Sequence, residues 1–161
     1  MDHKVIIFVN ELIALDLACA AAYEVSARAC KDKEIRNKLL EFKADHDRHV
    51  SELSEVVRRM GGQPVERVDA KGALIEGYTM LSSQEDRTAV LAMRGNEELS
   101  NNAYASALGA NLPNEIREMI MRNFEDERRH MTWLRGAVVV RGWDVEQPEI
   151  RQLAEQVRKA A

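Results

Sequence analysis

Two histidines in the segment EFKADHDRHV, residues 41–50, stand three positions apart in a stretch with helical periodicity. Side chains three and four positions apart on a helix point the same way, so His46 and His49 share one face. On the same line the helical period places Ile35, Leu39, Phe42, Leu53, Val56 and Met60. A single histidine on an apolar face is more often a hydrogen-bonded core residue than a ligand. Two of them one turn apart favour a metal-binding site.

Each of the other three long helical segments also carries ionisable residues in the middle of its apolar line. Asp16 interrupts the first and Glu97 the third, while the fourth runs Ile116, Ile120, Phe124, Glu127, His130, Leu134. Three carboxylates and three imidazoles are costly to bury without partners, and a divalent cation would turn them into a coordination shell. The alternative is a set of salt bridges on solvated faces. We predict six metal ligands: Asp16, His46, His49, Glu97, Glu127 and His130.

An internal repeat supports the metal site. Adding 81 to Asp16, Tyr23, Asp45, His46 and His49 gives Glu97, Tyr104, Asp126, Glu127 and His130. Helical periodicity alone can align apolar residues, but it does not explain a carboxylate, a tyrosine, an aspartate and a histidine at one offset.

The same offset picks out four residues that can support the ligands. Asp45 and Asp126 each lie four residues before a ligand histidine and could accept its second ring N–H. Tyr23 and Tyr104 lie two turns from Asp16 and Glu97 and could hydrogen-bond a ligand carboxylate. The alternatives are ordinary surface aspartates and core aromatic residues. The predicted supporting residues are Tyr23, Asp45, Tyr104 and Asp126.

Four long helices must position these side chains. The periodicity runs from about Asp2 to Cys30, from Lys33 to Met60, from Ser82 or Ser83 to Leu108, and from Pro113 to Arg141. The pattern Ser82-x-x-Glu85 is typical of a capping box and predicts the start of the third helix. Short connections give hairpins over residues 2–60 and 82–141, separated by a crossover over 61–81 with a short helix from Gly72 to Leu81. A tail helix is predicted over 147–160.

The predicted fold is therefore all-α: a ferritin-like antiparallel four-helix bundle with a long crossover between the second and third long helices and a short C-terminal helix. The whole chain, residues 1–161, is expected to form one domain. It is 45% apolar and 31% charged, which is typical of a globular domain.

Charge and cysteine usage restrict the partners and the location. The net charge of −4 offers no field for binding nucleic acid. The apolar run from Val5 to Val9 is too short to cross a membrane, so neither a signal peptide nor a transmembrane segment is expected. Cys19 and Cys30, if they share a helix, lie roughly 16 Å apart along its axis and cannot form a disulfide. Reduced thiols predict a cytoplasmic protein.

The ligand pattern resembles that of the ferritin-like di-iron carboxylate proteins, such as bacterioferritin and rubrerythrin. In that pattern two helices each carry a lone carboxylate and the other two carry Glu-x-x-His. Glu127-Arg128-Arg129-His130 matches the motif, and Asp16 and Glu97 match the lone carboxylates. The stretch KGALIEGYTMLSSQEDRTAVLAMRGNEELSNNAYASAL, residues 71–108, is similar to a bacterial ferritin-like family of unknown function. The resemblance extends over about residues 5–141.

The resemblance implies a dinuclear iron or manganese site that reacts with dioxygen or peroxide in iron or oxidative-stress handling. The corresponding enzyme would be a ferroxidase- or peroxidase-like oxidoreductase, and a homodimer is expected. Iron is the first expected metal, with manganese and zinc as alternatives.

His46 departs from the pattern, because the family has a bridging glutamate there. The site could then hold two metals asymmetrically or only one, and its imidazoles shift the preference towards zinc or copper. The alternative function is a non-enzymatic helical bundle in stress response or assembly, stabilised by zinc or by a mononuclear metal.

Overall fold

The part of the chain that the structure describes is entirely helical. The structure is a computed structural model and describes residues 2–68 and 70–143. Within these ranges there are five α-helices and no strand. They are α1 (Asp2–Ala29), α2 (Lys33–Arg59), α3 (Ala70–Ser82), α4 (Asp86–Leu108) and α5 (Asn114–Val140). The predicted all-α helical bundle is confirmed, and the predicted tail helix over 147–160 lies outside the described residues.

Each hairpin consists of two antiparallel helices whose ends are tied together. In the first, the Asn10 side chain of α1 donates to the carbonyl of Gln63 and accepts from the Val65 N–H, just beyond the end of α2. In the second, Arg117 near the start of α5 donates to the carbonyl of Leu108 at the end of α4, and Arg135 near the end of α5 pairs with Glu98 further back on α4. The chain therefore reverses direction between α1 and α2 and again between α4 and α5.

The two hairpins also pack antiparallel to each other, which makes a long crossover necessary. Arg59 at the end of α2 pairs with Glu115 at the start of α5, and Arg141 just after α5 pairs with Glu34 at the start of α2. Consequently α2 and α4 run parallel, and the connection between them must travel the length of the bundle. The short helix α3 lies on this route and packs against α1 and α4.

The helix starts follow local capping, with one correction to the sequence analysis. Asp32 caps α2, since its carboxylate accepts the N–H groups of Glu34 and Ile35. The prediction that Ser82-x-x-Glu85 begins the third long helix is wrong, because α3 continues to Ser82 and α4 begins at Asp86. The capping box is formed one turn later, where Thr88 Oγ1 accepts the Glu85 N–H at 3.2 Å. Glu85 rather than Ser82 is thus the cap.

Two apolar layers fill the bundle and leave a polar layer between them. One layer contains Tyr23, Phe42 and Leu134, and the other contains Val9, Leu53 and Ile120. The residues of the polar layer come from the middle of α1, α2, α4 and α5. Charges placed there are shielded from water on both sides, which strengthens their mutual interactions.

Helix α1 is unusually apolar for a helix that carries a buried aspartate. By length and composition alone, His3–Ala29 could cross a membrane, a test that core helices of globular bundles also pass. α1 packs against α2, α3 and α4 and supplies Asp16 to the core. The absence of a transmembrane segment stays a prediction. Cys19 and Cys30 are both free and buried, as predicted.

Candidate metal centre

All six predicted ligands meet in the polar layer, where each is at most 1% exposed. They form two overlapping groups of four, and within each group one potential ligand atom per residue lies within 4.8 Å of all the others. Asp16, His46, His49 and Glu127 form the Asp16 group; His46, Glu97, Glu127 and His130 form the Glu97 group. The groups share His46 and Glu127, and either group could hold a divalent cation.

In the Asp16 group, two imidazoles converge on one carboxylate oxygen. His46 Nδ1 lies 2.8 Å from Asp16 Oδ1, and His49 Nδ1 lies 3.4 Å from the same oxygen. His49 Nδ1 also lies 3.3 Å from Glu127 Oε1. The other Asp16 oxygen accepts a hydrogen bond from the Tyr104 hydroxyl at 2.6 Å. These contacts join α1, α2, α4 and α5 at one point.

The Glu97 group repeats this arrangement on the other side of His46. His46 Nε2 lies 3.4 Å and His130 Nδ1 lies 3.2 Å from Glu97 Oε1. The Tyr23 hydroxyl donates to the same oxygen. Each predicted tyrosine therefore binds the carboxylate of the opposite hairpin, Tyr23 reaching Glu97 and Tyr104 reaching Asp16.

The two supporting aspartates are exchanged between the hairpins in the same way. Asp45 accepts from His130 Nε2 at 2.9 Å, and Asp126 accepts from His49 Nε2 at 3.3 Å. Each aspartate thus serves the histidine of the other hairpin rather than the one four residues along its own helix. With Nε2 directed outwards to an aspartate, Nδ1 of His49 and of His130 faces the cluster, and this is the nitrogen that would bind a metal ion.

A pair of arginines, which the sequence analysis missed, surrounds the two aspartates. Arg129 Nη2 lies 2.7 Å from Asp45 Oδ2 and 2.9 Å from Asp126 Oδ1. Arg48 contacts the same two carboxylates. Adding 81 to Arg48 gives Arg129, so the repeat could have identified the pair. The two guanidinium groups neutralise both aspartates on the outer surface of the α2–α5 interface.

Polar side chains of α4 fix the ligand carboxylates and the backbone beside them. Ser100 Oγ donates to Glu127 Oε2. Asn101 Nδ2 lies 2.9 Å from the carbonyl oxygen of Glu97 and 3.1 Å from that of Glu127. Asn101 thereby joins α4 to α5 next to both glutamates. Ser100 was also missed in the sequence analysis, because serine at a core position has no signal of its own.

A buried asparagine occupies the inward position that the sequence analysis assigned to Phe124. Asn123 is 0% exposed, whereas Phe124 is only half-buried. Asn123 lies beside the Tyr104 hydroxyl, yet neither its amide nitrogen nor its amide oxygen has a well-aligned hydrogen bond to any described residue. Phe42, the equivalent residue of the first hairpin, instead stacks on the His130 ring with centroids 4.2 Å apart.

The electrostatics of the cluster couple imidazoles to carboxylates. Burial lowers the pKa of His49, but hydrogen bonds and charges from Asp16 and Glu127 outweigh burial and raise this pKa to about 9. Burial raises the pKa of Glu97, but hydrogen bonds with His130 and His46 outweigh it and lower this pKa to about 2. Without metal, protonated imidazoles therefore balance the carboxylates, and a cation would take the place of those protons.

Glu127 behaves differently from the other two carboxylates. Burial is the main reason why its pKa is raised, and the charge of His46 only partly opposes this effect. Its Oε1 atom is buried, and the nearest imidazole nitrogen to it is Nδ1 of His49, at 3.3 Å. A carboxylate oxygen that lies 3.3 Å from His49 Nδ1 and 3.6 Å from His46 Nδ1 belongs to a donor set that fits a divalent cation.

The fold and this site together define a class: an all-helical bundle with a buried carboxylate–imidazole cluster that can hold a divalent metal ion. Residues 4–110 match the family described as Domain of unknown function (DUF2383), and the chain belongs to that family. The matched region contains Asp16, His46, His49 and Glu97, whereas Glu127 and His130 follow it on α5. This agrees with the resemblance to a family of unknown function and names no di-iron ferritin family. No curated protein matches the chain.

Proposed function

We propose that the cluster binds two divalent metal ions, with iron as the first choice and manganese as an alternative, and that this centre reacts with dioxygen or peroxide. The observation that carries the proposal is the pair of overlapping four-residue groups that share His46 and Glu127. Each group offers two carboxylates and two imidazoles, a mixture that suits first-row divalent metals.

The chain's own residues would hold and orient the ligands. The Tyr23 and Tyr104 hydroxyls donate to ligand carboxylates, and Asp45 and Asp126 orient ligand imidazoles. When bound, iron or manganese would supply the electrons that reduce dioxygen or peroxide. The two apolar layers would keep bulk water away from the site.

A second candidate function is a redox-silent bundle that zinc or a single metal ion stabilises. The specific observation in its favour is the complete burial of a site with three imidazoles, since structural zinc sites are closed and imidazole suits zinc. In this reading the metal contributes folding free energy, and the protein acts in stress response or assembly.

Metal analysis and an oxidation assay separate these functions. The purified protein is analysed for bound metals by mass spectrometry, and Fe(II) is then added in air while near-ultraviolet absorbance is followed. Two iron ions per chain with rapid oxidation support the first function. One tightly held zinc ion and no oxidation support the second.

A matched pair of variants tests the site itself. Glu127→Ala should abolish metal binding, while Glu125→Ala, at an exposed position on the same helix, should leave it unchanged. Circular dichroism checks that both variants fold. Unchanged metal content in folded Glu127→Ala protein would show that the site is wrong.

Homodimerisation and a cytoplasmic location stay predictions. Two exposed apolar residues of α3, Tyr78 at 62% and Met80 at 54%, offer surface that a second copy could cover. Light scattering on the purified protein measures the oligomeric state directly, and a monomer would contradict the prediction.

A further inference from the structure

We propose that His46 coordinates two metal ions at once, one through each ring nitrogen, and so bridges the Asp16 group and the Glu97 group. This inference rests on the proposed function, since it requires the cluster to bind metal. It adds a bridging ligand of a specific chemical type, an imidazole ring shared between two cations.

The three buried histidines differ in what their ring nitrogens contact. A metal-binding histidine usually ligates with one nitrogen and donates from the other to a carboxylate or carbonyl outside the site. His49 and His130 follow this rule, with Nδ1 facing the cluster and Nε2 facing Asp126 and Asp45 respectively.

His46 does not follow this rule, because both of its nitrogens face candidate ligands. Nδ1 lies 2.8 Å from Asp16 Oδ1 and 3.6 Å from Glu127 Oε1, while Nε2 lies 3.4 Å from Glu97 Oε1. The ring is 0% exposed, so water does not satisfy either nitrogen from outside. The imidazole ring of His46 therefore lies between the two groups, with Nδ1 facing the Asp16 group and Nε2 facing Glu97.

Glu127 stands at the equivalent position of the second hairpin and belongs to both groups as well. Ser100 donates to its Oε2 atom, and its buried Oε1 atom lies 3.6 Å from His46 Nδ1 and 3.3 Å from His49 Nδ1. The repeat thus supplies one shared residue from α2 and one from α5. The two shared residues also contact each other, since Glu127 Oε1 lies 3.6 Å from His46 Nδ1.

Charge balance also favours an imidazole bridge. Asp16, Glu97 and Glu127 carry three negative charges when ionised, one fewer than two divalent cations need. A ring that binds metal through both nitrogens must give up its remaining proton to solvent as the second cation binds. The resulting imidazolate supplies the fourth negative charge, and no oxidant or reductant is involved.

Titration with Zn(II) against a chromophoric chelator tests the bridge through three matched glutamine variants. His49→Gln should weaken only one of two binding steps, and His130→Gln should weaken only the other. His46→Gln should weaken both steps, each by at least about tenfold, the lower bound seen when even an outer partner of a metal ligand is lost. His3→Gln, which alters the one histidine outside the cluster, should change neither step.

Copper provides a spectroscopic readout that does not depend on activity. Two Cu(II) ions joined by an imidazole are exchange-coupled, so electron paramagnetic resonance of the doubly loaded protein should show a coupled pair. The coupling should persist in Glu127→Gln and disappear in His46→Gln. If His46→Gln does not fold, the unsubstituted protein still decides, because two isolated Cu(II) signals would overturn the bridge.

The remaining outcomes separate this inference from the proposed function. If no divalent metal ion binds, both the proposed function and the His46 bridge are refuted. If one ion binds, or if His46→Gln weakens a single step, the chain is still a metal-binding protein but His46 does not bridge. If coupling survives in His46→Gln, Glu127 carries it and the imidazole bridge is refuted.

Discussion

The exchange of aspartates between the hairpins can be tested without any metal, through a double-mutant cycle. Asp45 lies four residues before His49 on α2, so the sequence alone pairs these two, whereas the structure pairs Asp45 with His130 at 2.9 Å. The imidazole is 0% and the Asp45 side chain 19% exposed, so solvent screens the interaction only weakly. A hydrogen bond to a charged group in such surroundings contributes about 1.5–3 kcal/mol.

The perturbations are Asp45→Asn, His130→Gln and His49→Gln, alone and in the two double combinations with Asp45→Asn. In chelator-treated protein, denaturant unfolding should give a coupling energy of about 1.5–3 kcal/mol for Asp45 with His130. The coupling of Asp45 with His49 should stay under about 1 kcal/mol, because the two residues are connected only indirectly, through Arg48 and through Arg129 and Asp126. Equal couplings, or a larger coupling to His49, would refute the exchanged pairing.

Three further predictions concern stability without metal. The folded-state pKa of His49 is raised from 6.5 to about 9, so its contribution to stability is complete below pH 6.5 and is lost towards pH 9. The folded-state pKa of Glu97 is lowered from 4.5 to about 2, so its contribution to stability is complete above pH 4.5 and is lost towards pH 2. In the presence of chelator, the melting temperature should therefore be highest near pH 4.5–6.5. A melting temperature that rises from pH 6.5 to 9 would contradict this. Asn123→Leu should raise the unfolding free energy by about 1 kcal/mol or more, because it removes a buried amide without well-aligned hydrogen bonds to described residues. If urea unfolding shows a loss of stability instead, the amide has a hydrogen-bond partner. Gly62→Ala should destabilise the protein by about 1 kcal/mol or more, since the added Cβ would lie 2.9 Å from a side-chain atom of Ile6 on α1 and 3.0 Å from one of Val57 on α2. An unchanged urea midpoint would show that these two side chains can move away.

The helices and their inward-facing residues could be predicted from the sequence because both depend on residue spacing within a single helix. A three- and four-residue spacing places Asp16, His46 and Glu97 on lines of apolar residues, and all three are buried. The hairpins follow equally from short connections. These features depend only on local periodicity.

Contacts between helices could not be predicted in the same way. Asp16 and Tyr23 lie seven residues apart on α1, but the tyrosine hydroxyl reaches Glu97 on α4 because its side chain extends across the interface. The helical period placed Phe124 on the inward line, whereas the structure buries Asn123 there. The offset of 81 from Phe42 leads to Asn123, so the repeat was a better guide there than hydrophobicity.

The repeat is broken at the positions that surround the two groups, and this makes the groups unequal. His130 is held by stacking on Phe42 and by a 2.9 Å hydrogen bond from Nε2 to Asp45. His49 faces Asp126 at 3.3 Å, and Asn123 takes the place of the stacking ring. A ligand whose orientation is already fixed loses less conformational freedom on binding, so the Glu97 group should bind its ion first. His130→Gln should then weaken the tighter of the two Zn(II) steps and His49→Gln the weaker, and the opposite order would mean that ligand orientation does not set the sequence of binding.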